Sequence, residues 1–527
     1  PSSRGPCGLF AQGLSIARTR GMRCFLAVLG LAMCLGCSRG QSGKNPGVEA
    51  LPSLRLAVVT DLKGYLEPCG CTSNPLGGID RMAAQIRALR KDEVPLLLLL
   101  SGDAFFDAAP LEEARVDQAN RNAKTLAQIL NDLGVAAVLP GARDRAQAAE
   151  VLESLRTASE FPWLAMDQDV ELLSISAGKR SVLIVGARPG TERDEVAAAV
   201  GEGRQSAELA IALVEGSRRD ANRIGSIEGV DFVVHGGLDQ DAPIPPRRTG
   251  DGWALHASRQ GQGLTVVDIY KPGQAGPFVD RSAWSREEQT AQLDRQVDEL
   301  SAKIDAWEKS GEVNAADLEP QRARLAELRA ERAALDSASI APAANAFSAR
   351  WVPLEKRSAT DPKVEKLMRA HDKAVNEANR VAFKDLKPPP LGPDDVAYVG
   401  SAACAACHQP AFIWWSNHRH GVAYMTLQKR NKQFNLDCVG CHVTGYGEPG
   451  GSTVTHNLDG GLVGVGCESC HGPGAEHAKN PEVDLVRYTP ESTCLACHNE
   501  EHSDLFDYDT YVKSLTVPGH GLPVKLR

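Results

Sequence analysis

Four copies of one short pattern, Cys-x-x-Cys-His, stand near the C-terminal end of this 527-residue chain. They are Cys404, Cys407, His408; Cys438, Cys441, His442; Cys467, Cys470, His471; and Cys494, Cys497, His498. A chain of this Cys and His content would show on the order of 0.01 such matches by chance. Two thiols three positions apart can each form a thioether to one vinyl group of a single porphyrin, and the His that follows reaches the iron. Zinc sites also use paired Cys-x-x-Cys units, but they need no His after every second Cys. The pattern therefore predicts four covalently bound haem c groups. Roughly 130 residues must hold them, so the porphyrins supply much of that region's apolar core and pack closely, as in an electron wire.

Methionine is scarce where it would matter, since only Met425 lies in this segment. His/Met ligation, which raises haem potential, can thus serve at most one iron. Six further histidines are available, His418, His420, His456, His477, His502 and His520. The candidate distal ligands are His418, His420, His477, His502 and His520, with His408, His442, His471 and His498 proximal. Hydrogen bonding to a propionate is the alternative role for each. His418 and His420, two apart after Trp414-Trp415, are expected on opposite sides of a helix, serving different haems. Counting neither forces nor forbids an open iron.

Lys plus Arg number 58 against 67 Asp plus Glu, a net charge of −9, so no phosphate-neutralising surface dominates and nucleic acid is not an expected partner. The expected partners are redox proteins, and nothing in the sequence speaks to oligomeric state. Taking Met22 as the start, Met22-Arg23 and the apolar run Cys24 to Leu35 read as an export signal. Leu35-Gly36-Cys37-Ser38 resembles a lipobox, with Cys34 where Leu is usual. Lipid attachment at Cys37, ordinary cleavage and an uncleaved anchor all stay open. The expected location is periplasmic, or outer-membrane or cell-surface associated, in a bacterium.

The organisation reads as residues 1–50 export segment and linker, 51–280 an α/β domain, 281–395 a helical or coiled-coil linker, and 396–527 the haem segment. Short β-rich runs at Leu54 to Thr60, Leu96 to Leu100, Val135 to Leu139, Ser181 to Val185, Phe232 to His235 and Leu264 to Tyr270 alternate with helical stretches. Ser285 to Ser337 reads as a helical hairpin interrupted at Gly311, and Asp361 to Phe383 as a helix ending before Pro388-Pro389-Pro390. The fold class is multidomain, α/β plus mainly α.

From Tyr398 onward the chain resembles the tetrahaem cytochrome c family that includes the electron-accepting partner of hydroxylamine oxidoreductase in nitrifiers. The carrying residues are Cys404 to His408, Trp415-Ser416-Asn417-His418 with Ala423-Tyr424, Cys441 to Gly445, and Gly466 to Gly474 with His477. The resemblance implies a mostly helical fold, haems stacked in pairs, mainly bis-histidine ligation and, in some members, one five-coordinate iron. By position, His418 and His477 match the family's distal ligands best.

Residues 54 to 272 resemble the metallophosphoesterase domain of periplasmic 5′-nucleotidases, an α/β sandwich holding two metals. Asp61, Asp103 and His235 match ligand positions, and His256 follows. Lys63, however, stands where a His is expected, and Ala142 and Arg143 replace Asn and His. Cations cannot ligate a divalent ion, so the resemblance implies a degenerate dinuclear site whose phosphoesterase activity is lost. Lys63 and Arg143 could instead receive an anion. Cys69-Gly70-Cys71 could form a strained disulfide, bind metal or act in redox chemistry. The leading function is electron transfer between redox partners. The alternatives are an oxidoreductase with one open haem acting on a small nitrogen or sulfur compound, or residual phosphoesterase activity.

Overall fold

The computed structural model describes residues 51–68, 74–238, 240, 243–270, 276–310, 315–337, 345–499, 503, 505–515 and 517. The export segment, Cys69, Cys71, His502 and His520 lie outside the described residues.

Twelve strands form two sheets. They are β1 (Leu54–Thr60), β2 (Leu96–Gly102), β3 (Val135–Pro140), β4 (Val170–Ala177), β5 (Arg180–Ala187), β6 (Leu209–Glu215), β7 (Phe232–Gly236), β8 (Arg247–Thr249), β9 (Gly252–Leu255), β10 (Gly263–Tyr270), β11 (Val279–Asp280) and β12 (Ala346–Pro353). One sheet runs β11-β12-β10-β1-β2-β3 and the other β4-β5-β6-β7-β9-β8. β1 to β3 pair in parallel, as do β5, β6, β7 and β9. Parallel strands covered on both faces need unbroken apolar runs, and β1 is buried along its whole length.

The sheets face each other across Leu56, Leu99, Ile184, Leu213, Phe232 and Phe347. The outer face of the first carries helices Ile79–Leu89, Val116–Asp132 and Pro362–Ala382 around Met82, Ile86, Leu126 and Val364. Helices Arg193–Gly203 and Arg218–Gly225 cover the second around Val196, Val200 and Ile224. All the β-rich runs expected from the sequence are strands. Those it did not single out, β4, β6, β8, β9, β11 and β12, include short edge strands and one strand between two helical stretches.

The segment 281–395 differs from a helical linker. Its hairpin exists, as helices Ala283–Ser310 and Ala315–Ser337 clasped by Arg322–Glu308 at 2.5 Å and Arg332–Asp294 at 3.0 Å. But β12 lies inside the first sheet, antiparallel to β10 from Gly263↔Pro353 to Tyr270↔Ala346. Phe347 drives this, because its fully buried ring meets Phe232 edge-on at 5.3 Å across the sheet interface. The α/β layer is therefore completed by residues well beyond 280.

Among its described residues the C-terminal part contains the helix Ser401–Ser416 and short helices that include Ala423–Gln428, Glu468–His471, Ala475–Lys479, Glu491–Leu495 and Tyr508–Ser514. Its own apolar cluster is small: Tyr424, Leu427, Val439, Val443, Val454 and Leu458. Among the described residues no helix is long and apolar enough to cross a membrane.

Candidate functional site

The four motifs sit on local structures that turn sharply at the histidine. In the first, the helix Ser401–Ser416 loses helical geometry at His408 (φ −112°, ψ 38°), two residues before Pro410. The second is a short 3₁₀ turn, Val439–His442, entered through Cys438 N–H and Val439 N–H bonds to Asn435 O at 3.1 and 2.9 Å. The third closes with His471 N–H on Cys467 O at 3.0 Å, and the fourth with His498 N–H on Cys494 O at 2.8 Å.

What matters for ligation is which ring nitrogen carries the proton. His442 Nδ1 donates to Ala423 O at 2.9 Å, His471 Nδ1 to Val486 O at 2.6 Å, and His477 Nδ1 to Val483 O at 2.7 Å. His498 Nδ1 meets Ser503 Oγ at 3.1 Å. A His whose Nδ1–H is held by a carbonyl is fixed in the tautomer whose Nε2 accepts, the arrangement that second-sphere carbonyls impose on metal-binding histidines.

Ring spacing adds a second test. Two imidazoles that held one metal ion between them, each at about 2 Å, would have ring centres about 6 Å apart. His408 and His477 are 6.3 Å apart with planes 27° from parallel, and His420 and His498 are 6.1 Å apart. His418 stacks on Trp414 at 4.8 Å and Trp415 at 5.1 Å, and its Nδ1 accepts the His420 N–H at 3.4 Å; His420 itself stacks on Trp415 at 5.6 Å. The expectation of opposite helix faces for His418 and His420 is corrected. The helix ends at Ser416, both residues lie in the turn beyond it, and their rings are 5.2 Å apart.

The motifs are interleaved. The Cys404 thiol lies beside that of Cys467, and the Cys497 thiol beside that of Cys441. The neighbouring sulfur pushes Cys404 and Cys497 up and holds Cys467 and Cys441 down. Cys470 feels the charge of Cys494. The first motif thus touches the third, the second touches the fourth, and the third neighbours the fourth. Glu468, inside the third motif, ties this together. Its buried carboxylate accepts Val399 N–H at 2.9 Å, Gly400 N–H at 2.7 Å and Gly474 N–H at 2.8 Å, joining the start of the first motif's helix to the turn after the third. A lone Glu between two motif cysteines was its only sign in the sequence.

Around the motifs, Ile413, Val486, Tyr488, Leu495 and Leu505 are exposed although apolar, the kind of surface a porphyrin covers. Paired thiols, oriented histidines and apolar walls fit haem c. This defines the segment as a c-type cytochrome of the multihaem class.

The family "Cytochrome c554 and c-prime" matches residues 403–472, so the chain carries a C-terminal segment of that family. Cytochrome c-554 of Nitrosomonas europaea is 33% identical over 138 residues, covering 20% of this chain and 58% of that cytochrome. The chain thus spans somewhat over half the length of that relative. Among solved structures, a 5′-nucleotidase precursor from Thermus thermophilus aligns at 14% identity and TM-score 0.41, covering 66% of this chain and 62% of that one. The sulfate thiohydrolase SoxB of the same species aligns at 14% and 0.40, covering 69% of each.

The residues singled out in the α/β domain gather where β1, β2, β3, β6 and β7 end. Asp61, in the left-handed region at φ 51°, accepts Gly237 N–H at 2.9 Å and Asp103 N–H at 3.3 Å. Burial, with Asp103 alongside, pushes it up to about 7. Asp103 is taken by Arg143, through a backbone N–H and a guanidinium N–H, both at 2.7 Å. The approach is so close that a Cβ at Gly141 would lie 2.2 Å from Asp103 Oδ1, and one at Gly102 would lie 2.1 Å from Asp61 Oδ1. Glu215, which sequence reading passed over, accepts Ala142 N–H at 2.8 Å and Arg145 at 2.7 Å. His235 Nε2 donates to Gly216 O at 2.9 Å, and His256 Nδ1 to His235 O at 2.8 Å. Burial lowers both histidines, His256 to about 4. Lys63 is buried beside them. Among the described residues no group of three or more His, Cys, Asp or Glu could hold a metal ion.

Proposed function

We propose that this chain is an exported electron-transfer protein carrying four haem c groups, attached at the four motifs and packed closely enough to pass electrons among themselves. The observation that carries the reading is the packing of the motif segments on one another: Cys467 N–H donates to Ser401 Oγ at 3.0 Å, at the start of the first motif's helix, and the His420 and His498 rings lie 6.1 Å apart. Cysteines joined to vinyl groups at those positions bring porphyrin edges together. Haem c supplies a one-electron centre when bound; the protein's part is to hold the ring, orient His408, His442, His471 and His498, and exclude water.

In this reading His477 serves the iron of His408, and His420 that of His498. His418 is held by the tryptophans. A second reading leaves the iron of one motif open. An open iron there would bind a small nitrogen or sulfur compound. The partners are redox proteins, the location is the periplasm or cell surface, and Cys37 is a site for lipid attachment. The α/β domain is a non-catalytic scaffold in which Arg143 replaces a metal opposite Asp103.

Low-temperature EPR of the oxidised, haem-loaded protein tests this directly. Four low-spin haems support the carrier; a high-spin signal integrating to one haem in four supports the open iron. Nucleotide hydrolysis accompanied by bound divalent metal would overturn the scaffold role.

A further inference from the structure

The segment that leads into the second motif, residues 430–437, is gripped by the α/β domain through polar groups that are almost all buried. Gln118 of helix Val116–Asp132 is 2% exposed and uses every hydrogen-bonding position it has. Its Nε2 donates to Asn435 Oδ1 at 3.2 Å and Asp437 Oδ2 at 2.7 Å, and its Oε1 accepts Leu436 N–H at 3.0 Å and Asn379 Nδ2 at 2.7 Å. Asn376 and Asn379, on helix Pro362–Ala382, hold both backbone groups of Phe434 at 2.9 Å.

Deeper in the same interface a single cation sits between two acids. Lys432, its side chain 8% exposed, reaches Glu67 at 2.6 Å and Asp372 at 3.3 Å. Glu67 follows β1, Asp372 belongs to helix Pro362–Ala382, and Lys432 is six positions before Cys438 in a run of consecutive turns. Two successive turns join Lys432 to Cys438: Asn435 N–H donates to Lys432 O at 3.0 Å, and Cys438 N–H to Asn435 O at 3.1 Å. A buried charge this close to a haem attachment is felt by the haem, because a low-dielectric interior screens it poorly.

We propose that Glu67, Lys432 and Asp372 form a redox-linked proton site for the haem attached at Cys438 and Cys441: as one electron enters that haem from a donor protein, one proton from solvent binds the Asp372 carboxylate, and both leave on reoxidation. This rests on the reading of the second motif as a haem site. With two carboxylates around one ammonium the triad is net negative, so an added electron is disfavoured until one acid is neutralised. Asp372 is the acid that can give way, since burial pushes it up to about 6 against the pull of Lys432. Burial lowers Lys432 less than Glu67 and Asp372 raise it, so the ammonium stays charged. The other groups facing the triad are Arg430 of the same turn region, His371 on the helix of Asp372, and Arg121 of helix Val116–Asp132. His371 stays neutral near pH 7, because burial lowers it to about 4 while its nitrogens meet Thr125 Oγ1 at 2.8 Å and Asn122 Oδ1 at 3.0 Å.

Spectroelectrochemical titration of the haem-loaded full chain between pH 5 and 8 tests the proposal. One component of the titration is expected to fall in potential as pH rises through the Asp372 range. That slope is lost in Asp372→Asn, kept in Glu377→Gln on the exposed side of the same helix, and absent together with its component in Cys438→Ser/Cys441→Ser. Lys432→Arg keeps the slope, whereas Lys432→Met shifts the component's potential downward. The same slope in wild type and Asp372→Asn, at equal haem content, overturns the proton site alone. Absence of haem c from the second motif by pyridine haemochrome overturns the underlying reading as well.

Discussion

The two-sheet domain and the haem segment solve the same problem by opposite means. In the first, the largest fully buried side chains, Phe105, Phe106, Phe232, Phe278 and Phe347 among them, close a core from the chain's own apolar groups. In the second, the apolar cluster is six residues, and Ile413, Tyr488 and Leu505 lie on the outside. A domain that buries its own side chains tolerates a degraded cleft, because its stability lies elsewhere. A segment built around cofactors does not, since each lost attachment removes core.

Several substitutions test that contrast. Cys438→Ser/Cys441→Ser should have the largest effect: haem per chain falls to three quarters, and the C-terminal segment becomes protease-sensitive while the two-sheet domain still melts cooperatively. Haem staining with limited proteolysis checks this, and joint collapse of both regions would break the contrast. Phe232→Ala, which empties a site touching Phe278 and Phe347, should cost about 3–5 kcal/mol in denaturant unfolding of the two-sheet domain, with haem per folded chain unchanged. Gln118→Ala, at the seam, should cost about 2–3 kcal/mol by leaving buried partners unmatched, and should separate the melting of the two regions in calorimetry. Coincident melting would show that the seam is not what couples them.

Smaller effects sharpen the picture. Arg143→Ala should cost about 1 kcal/mol, because the guanidinium is 38% exposed and solvent screens much of its pairing with Asp103. Asp372 is raised in the folded state, so its contribution to stability is present in full below its ordinary value of 3.8 and is lost as pH rises through about 6. The melting temperature of wild type should therefore gain on acidification across that window relative to Asp372→Asn, as differential scanning calorimetry at stepped pH would show.

Much of this protein was legible in its sequence because the relevant information is local. A Cys-x-x-Cys-His motif carries its chemistry within five residues, and the parallel strands announce themselves as apolar runs such as Leu54 to Thr60. The replacement of expected ligands by Lys63 and Arg143 was likewise readable one position at a time. What the sequence could not show is how remote segments meet. β12 entered the sheet because Phe347 found Phe232 across the interface, a contact with no local signature. Which histidine ring lies near which depended on where the helix after Cys404 ended, and the His420 ring lies 6.1 Å from that of His498. Tertiary structure alone decided that Glu67, Asp372 and Lys432, three ordinary surface-type residues far apart along the chain, share one site, with Lys432 and Asp372 largely buried and Glu67 at its rim, because only packing removes the water that would otherwise separate their charges.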